Sequence, residues 1–287
     1  MPELLEHKRE IMIAAALLAV CLLLSALIIT VLILRRSSEP EPEEARAPSL
    51  YQGMPLLVTR EQVEQLSYTD STLGTLTWVI SDQRLEELNW VLLEYDISTP
   101  EQISQFLAQV TVETVAGREL TELGDNAYFQ RYGYSFGTRG AGYLHLTHAY
   151  GQMAFATWLM KKYVPELSGT PYVNPGNHSR DEVASAYYKA LQTAANLGLD
   201  VSEYSRVVYD GQDPKTAAFP TGADYIAEHY AWESAAYYWQ AAGIQDAFSP
   251  TPGLENTDLA SQRVGGGNWQ SRREAYAAFY PVFSALP

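Results

Sequence analysis

Apolar residues fall into two regimes along this chain. From Ile11 to Leu34 they form one run without a charged residue, softened only by Cys21, Ser25 and Thr30. Past residue 57 they recur instead at the spacing of helices whose one face is buried. About 20 apolar residues are enough to cross a bilayer as a helix. A cleaved signal peptide has a shorter apolar region ending at small residues, whereas Arg35 and Arg36 follow this run directly. The expectation is an uncleaved transmembrane signal anchor over residues 11–34, after a short N-terminus of residues 1–10. Lys8 and Arg9 on one side balance Arg35 and Arg36 on the other, so charge alone does not orient it.

Residues 35–56 are rich in Pro and Glu, a composition that stays extended and self-repelling, and they read as a linker. The remainder, 57–287, is predicted to be one mainly helical domain. Thr59 stands three residues before Gln62, the spacing of a capping box. Leu85, Leu88, Val91 and Leu92 give a helix over 83–95. Ser98-Thr99-Pro100-Glu101 caps the next one, with Pro at its first position. Further helices are expected over 149–163, 181–197 and 223–242, the last two stopped by Gly198 and Gly243, and a final one from about Ser271. The stretch 125–142 has many Gly and Tyr residues and no sustained period, so it reads as a loop forming a cleft wall.

The helix that begins at Pro100 carries the first chemistry. Ile103, Phe106, Leu107 and Val110 share a face, and the next position on it is Glu113. An ionised carboxylate is costly to bury in apolar surroundings, so its pKa is expected to rise toward the range of a general acid. Nine residues on, past Gly117, stands Glu122. A desolvated carboxyl facing a carboxylate is the equipment of glycoside hydrolysis. Two plainer readings stand beside it: Glu113 in a structural pair with Arg118, Arg131 or Arg139, and Glu122 as a solvated loop acid.

Composition removes several other classes. The single cysteine, Cys21, lies in the membrane run, so no intramolecular disulfide forms and no thiol serves catalysis. A formal net charge of −15 speaks against nucleic acid as a partner, and against electrostatic attraction to anionic polymers. Binding is expected to come from Tyr128, Phe129, Tyr132, Tyr134, Phe136 and Tyr143, whose faces suit pyranose rings. His145 and His148 lie three apart without a third ligand at convincing spacing, so neither a metal nor a cofactor is expected. The run from Gly265 to Asn268 lacks the Lys of a phosphate loop and reads as a tight turn near the cleft.

Three stretches together resemble the core of the family 19 chitinase and endolysin glycoside hydrolases of the lysozyme-like superfamily. FLAQVTVET is similar to the family's acid-bearing FLAQ-x-x-HET helix and contains Glu113; TELGDNAYFQRY contains Glu122. TRGAGYLHLTHAY is similar to its RGRGYIQLTGR-x-NY segment, through Arg139, Gly140, Gly142, Tyr143, Leu146, Thr147 and Tyr150. The resemblance extends over most of residues 57–287, into HYAWESAAYYWQAAGIQDAF and ASQRVGGGNWQSRREAYAAF. It departs from the pattern at Val112 (His in the family), Ala141 (Arg), His145 (Gln), His148-Ala149 (Gly-Arg) and Gly265 (Asn).

The resemblance implies a lysozyme-like helical domain with a central cleft, in which Glu113 is the acid and Glu122 the base of an inverting hydrolysis of β-1,4-linked N-acetylhexosamine polymers. It implies Tyr132, Arg139, Tyr143, His145, Thr147, Arg263, Gly265 and Asn268 as substrate-binding positions, with Arg139 and Arg263 keeping Glu122 ionised. Such polymers lie outside the cell, which sets the N-terminus in the cytoplasm and the domain outside; the tether then favours peptidoglycan over chitin. The rival expectation is a tethered glycan-binding module that has lost the chemistry, as the replaced positions suggest, and a third is a purely structural envelope partner.

Overall fold

The structure is a computed structural model that describes residues 56–70, 73–212, 218–265 and 267–285. The expected anchor and all of the linker except Leu56 lie outside the described residues. Among the described residues no helix is long and apolar enough to cross a membrane.

The domain is mainly helical. A first turn of helix, α1 (Arg60–Gln65), leads into a two-stranded antiparallel hairpin of β1 (Ser67–Asp70) and β2 (Gly74–Thr77). Then come α2 (Asp82–Glu94), α3 (Pro100–Glu113), a short α4 (Asn126–Arg131), α5 (Ala149–Tyr163), α6 (Arg180–Leu197), α7 (Ser202–Ser205), α8 (Ala223–His229), α9 (Ala231–Ala241), α10 (Leu254–Val264) and α11 (Trp269–Ser284). The helix starts follow their capping chemistry. Thr59 with Gln62, and Thr99 with Gln102 ahead of Pro100, each exchange both hydrogen bonds of a capping box. Gly198 closes α6 at φ +69°, the left-handed conformation a glycine takes without penalty.

Helix α3 is the central post. Every residue from Ile103 to Thr111 is buried, so it is enclosed on all sides rather than along one stripe. Phe106 sits between Trp232 and Trp239 of α9, with ring centroids 6.0 and 5.3 Å away. Edge-on and tilted pairs of this kind add roughly 0.5–1.5 kcal/mol each beyond the burial of their area. Helix α9 is enclosed likewise, and α11 runs along α3 with Ala275, Tyr276, Phe279 and Phe283 buried.

A polar row also runs down α3 and into the core. Glu101, Gln105, Gln109 and Glu113 follow one another at intervals of four, the spacing that stacks side chains along a helix. Glu101 accepts from Tyr276 Oη (2.5 Å) and Asn256 Nδ2 (2.9 Å); Gln109 accepts from Arg272 Nη1 (2.5 Å) and donates toward Ser261 Oγ (3.3 Å). Buried polar groups are tolerated when paired, and each residue of this row has a partner, although the Gln105 Oε1 itself has none.

Three expectations change. The single helix over 223–242 is two helices, parted at Tyr230 (φ −136°), whose hydroxyl is drawn to Glu203. The loop 125–142 contains α4 and a 3-10 turn at Phe136–Thr138, both organised around the buried ring of Phe129. The last helix starts at Trp269, two residues earlier than its pattern indicates.

Candidate active site

Glu113 is the last residue of α3, and its side chain is 20% exposed. One carboxylate oxygen is bound by Arg272 Nη2; the other, Oε2, lies 3.6 Å from His145 Nδ1. The apolar enclosure expected around Glu113 is therefore replaced by an ion pair, and its partner is none of Arg118, Arg131 or Arg139. Arg272 is itself 1% exposed and is fixed from three sides, by Gln109, Glu113 and the Gly265 carbonyl (3.3 Å). Burial pulls the guanidinium below its ordinary pKa and Glu113 opposes that shift. Tyr238, whose hydroxyl donates to the Arg263 carbonyl (3.0 Å), is raised by burial and then by the charge of Glu113.

The chain leaves α3 under strain. Val115, Ala116 and Gly117 follow one another at φ +52°, +58° and +82°. A β-branched residue at positive φ is a genuine outlier, and such strain collects at functional sites. Gly117 is needed there, since a Cβ would come within 2.6 Å of the Val79 carbonyl. His145 (+47°), His148 (+68°) and Asn268 (+60°) are also left-handed, so five of the six positive-φ non-glycine residues among the described residues stand around Glu113 and the turn that faces it.

Glu122 is held differently. Tyr134 Oη donates to its Oε1 (2.7 Å) and the Gly140 amide to its Oε2 (3.2 Å), while its own amide donates to the Gly140 carbonyl (2.8 Å). Bridges Thr121–Ala141 and Ala141–Leu146 tie this strand of chain to the 140–146 turn. Gly140 permits the approach: a Cβ there would meet His145 Cβ at 2.8 Å and Glu122 Oε2 at 3.3 Å. Both acids therefore converge on one turn. Glu122 lies against its Gly140 end, and Glu113 against the His145 side chain that packs on Gly140.

The other expected residues divide into those at this turn and those elsewhere. His145 spans from Glu113 to the Glu119 carbonyl (Nε2 at 3.4 Å), and Thr147 steadies it by donating to the His145 carbonyl (2.6 Å). Gly265 presents its carbonyl to Arg272, and the Asn268 carbonyl accepts the Arg272 amide at the start of α11. Tyr132 is 61% exposed, 5.1 Å from Tyr128 and 6.3 Å from Tyr134, available to a ligand. Tyr143 is not: it is 1% exposed and stacked on Trp232 at 3.5 Å, a core residue whose phenol burial drives far above its usual range. Nor do the two arginines flank Glu122. Arg139 is bound to Asp224 (2.5 Å) and lies over the Phe136 ring at 3.8 Å. Arg263 donates to the Ala242 carbonyl at the end of α9 (2.6 Å), a position where a cation meets the negative helix end.

Sequence reasoning missed Arg272, Gln109 and the role of Tyr134. Arg272 had a signal. It shares a helical stripe with Ala275, Tyr276, Phe279 and Phe283, and a cation on a buried stripe requires a carboxylate partner. His145 and His148 do not face a common point: His148 is stacked on Tyr150 (5.2 Å) and edge-on to Tyr134 (5.1 Å). Among the described residues, no three His, Cys, Asp or Glu side chains gather as a metal site would require. Comparison of the chain with protein-family models, with curated proteins and with solved structures gives no match.

Proposed function

We propose that the chain is a membrane-tethered, extracytoplasmic glycoside hydrolase that cleaves β-1,4-linked N-acetylhexosamine polymers, peptidoglycan in preference to chitin. The lysozyme-like fold and the family 19 likeness belong to this reading, as does an anchor at residues 11–34 with its N-terminus in the cytoplasm. The observation that carries it is the convergence of Glu113 and Glu122 on the strained 140–145 turn. Two independently held carboxyl groups at one backbone feature are what bond cleavage with inversion employs, at a separation of about 6.5–9.5 Å.

In this mechanism Glu113 protonates the leaving oxygen through Oε2, the oxygen that Arg272 leaves free. Arg272 then stabilises the carboxylate that remains. Glu122, oriented by Tyr134 and the Gly140 amide, takes a proton from water on the opposite face of the sugar. Tyr132, His145 and Thr147 line the approach. Glu113→Gln is expected to abolish the release of reducing ends from peptidoglycan and from chitin oligomers. A variant that cuts as fast as its parent overturns the assignment.

A second reading has its own observation. Glu113 rests in an ion pair with a buried arginine, and Val112, Ala141, His145 and Gly265 depart from the pattern the chain resembles. A glycan-binding module would retain such a cleft without the chemistry. Capture of peptidoglycan with no reducing ends released would identify it.

A further inference from the structure

Beside Tyr134, whose hydroxyl reaches Glu122, lies a recess of about 270 Å³, bounded by Tyr134, His148, Tyr150, Met153, Arg180 and Asp181. Whole small-molecule sites begin at about 300 Å³, so this one suits a single sugar ring or its substituent rather than a length of polymer. It touches the candidate active site directly, because the Tyr134 ring that walls it sends its hydroxyl to Glu122. Its walls are aromatic and fixed: His148 lies parallel to Tyr150 (13° between planes) and perpendicular to Tyr134 (90°).

Arg180 gives the recess its chemistry. It is the first residue of α6, it is exposed, and its guanidinium lies over the Tyr150 ring at 5.1 Å. Among the described residues no carboxylate pairs with it. What sets Arg180 apart is its place: it lines the recess, beside the His148 ring that also senses Glu122. A guanidinium fork matches the two oxygens of a carboxylate. Asp181 also lines the recess; it sits in the first turn of α6, where the positive helix end offsets its charge, and it offers an acceptor to sugar hydroxyls.

We propose that this recess is a subsite for an acidic hexosamine, its ring held by Tyr134 and Tyr150 and its carboxylate bound by Arg180. The inference rests on the glycan reading above and narrows it. A neutral polymer such as chitin leaves Arg180 unmet, whereas a polymer of alternating neutral and acidic sugars satisfies it. The carboxylate has two possible sources in such a polymer: the lactyl ether of the acidic sugar, or the peptide stem attached to it.

The test uses the full chain in detergent with Glu113→Gln, so that saccharides survive the measurement. Affinities are measured for chitotetraose, for a peptide-free tetrasaccharide alternating N-acetylglucosamine with N-acetylmuramic acid, and for the same tetrasaccharide bearing stems. An acidic saccharide is expected to bind about fivefold more tightly than chitotetraose, the scale of a well-formed exposed ion pair, and less so at high salt. Preference by the peptide-free saccharide assigns the lactyl group; preference only with stems assigns the peptide. Adding Arg180→Leu brings the ratio close to one, and Arg180→Lys retains part of it. Equal affinity for all three saccharides, or a preference that survives Arg180→Leu, overturns the subsite alone. Binding to none of them, together with no hydrolysis by the parent chain, overturns the glycan reading itself.

Discussion

Glu113 ends a helix enclosed on every side, whereas Glu122 belongs to a stretch with no regular structure, secured by one phenol and one backbone amide. The first acid is anchored from below. Its ion pair continues a row of buried polar groups that runs from Glu101 through Gln109 to Arg272. The second is anchored from the side, by a turn whose glycines let backbone and carboxylate come close. On the proposed mechanism, the difference separates two things an active site demands. The helix and its polar row hold Glu113 as part of the core, so disturbing that grip also disturbs the fold. The turn holds Glu122 with contacts that carry little of the fold, so disturbing those affects mainly the chemistry.

The largest effects come from removing the acids themselves. Glu113→Gln and Glu122→Gln are each expected to slow glycan cleavage by about 10²–10⁴, the contribution of a positioned acid or base, as read by reducing-end release. Glu122→Gln should shift the melting temperature little, because an amide oxygen still accepts one of the bonds that Tyr134 and Gly140 donate, whereas Glu113→Gln leaves the buried Arg272 without its anion and should lower it as well. Next in size is Arg272→Leu, where the two regions part company. It strips Gln109 and Glu113 of a common partner and is expected to destabilise the domain by about 3 kcal/mol in urea unfolding, the scale of a buried pair broken on one side. A variant with parental stability would show that the polar row does not anchor Glu113.

The same division governs what could be read from the sequence. Helix starts were legible because capping is local: Thr59 with Gln62, and Thr99 with Pro100 and Gln102, announce themselves within four residues. The ends of α6 and α9 were legible for similar reasons, from Gly198 and Gly243. The break at Tyr230 was not, since no Pro or Gly marks it and the side chain there is engaged by Glu203, distant in sequence. Spacing and likeness single out Glu113 and Glu122, but they say nothing of what surrounds them. The apolar stripe through Phe106 hid the row at intervals of four that ends at Glu113, because on a helix buried all round every face meets something. Tyr143 looked like a sugar platform among other loop aromatics. Only its pairing with Trp232, nearly ninety residues away in sequence, reveals it as core.

Tyr134→Phe probes the turn in isolation. It deletes the hydroxyl that orients Glu122 and retains the ring packed near Phe129 and His148. The expected loss is about tenfold in kcat, the scale of one hydrogen bond to a charged group, with unfolding changed far less than by Arg272→Leu. Equal damage from the two variants, in stability or in rate, would erase the distinction between the sites.

The smallest and most local effect is read at His148, which lies on the Glu122 side and senses its charge. Burial holds this imidazole below its ordinary pKa; the nearby Arg180 pushes the same way, and Glu122 pushes back upward. A histidine whose folded pKa is depressed takes up its proton first in the unfolded chain. Its contribution to stability is therefore present at neutral pH and is lost as pH falls through the unfolded value toward the folded one. The three influences can be separated by NMR titration of the His148 ring. Glu122→Gln removes the opposing anion and should move the midpoint lower still, Arg180→Leu should move it higher, and Glu113→Gln should leave it in place. Should Glu113→Gln move His148 as far as Glu122→Gln does, the two carboxyl groups share one electrostatic environment, and the separation of core-held acid from turn-held base fails at its most sensitive point.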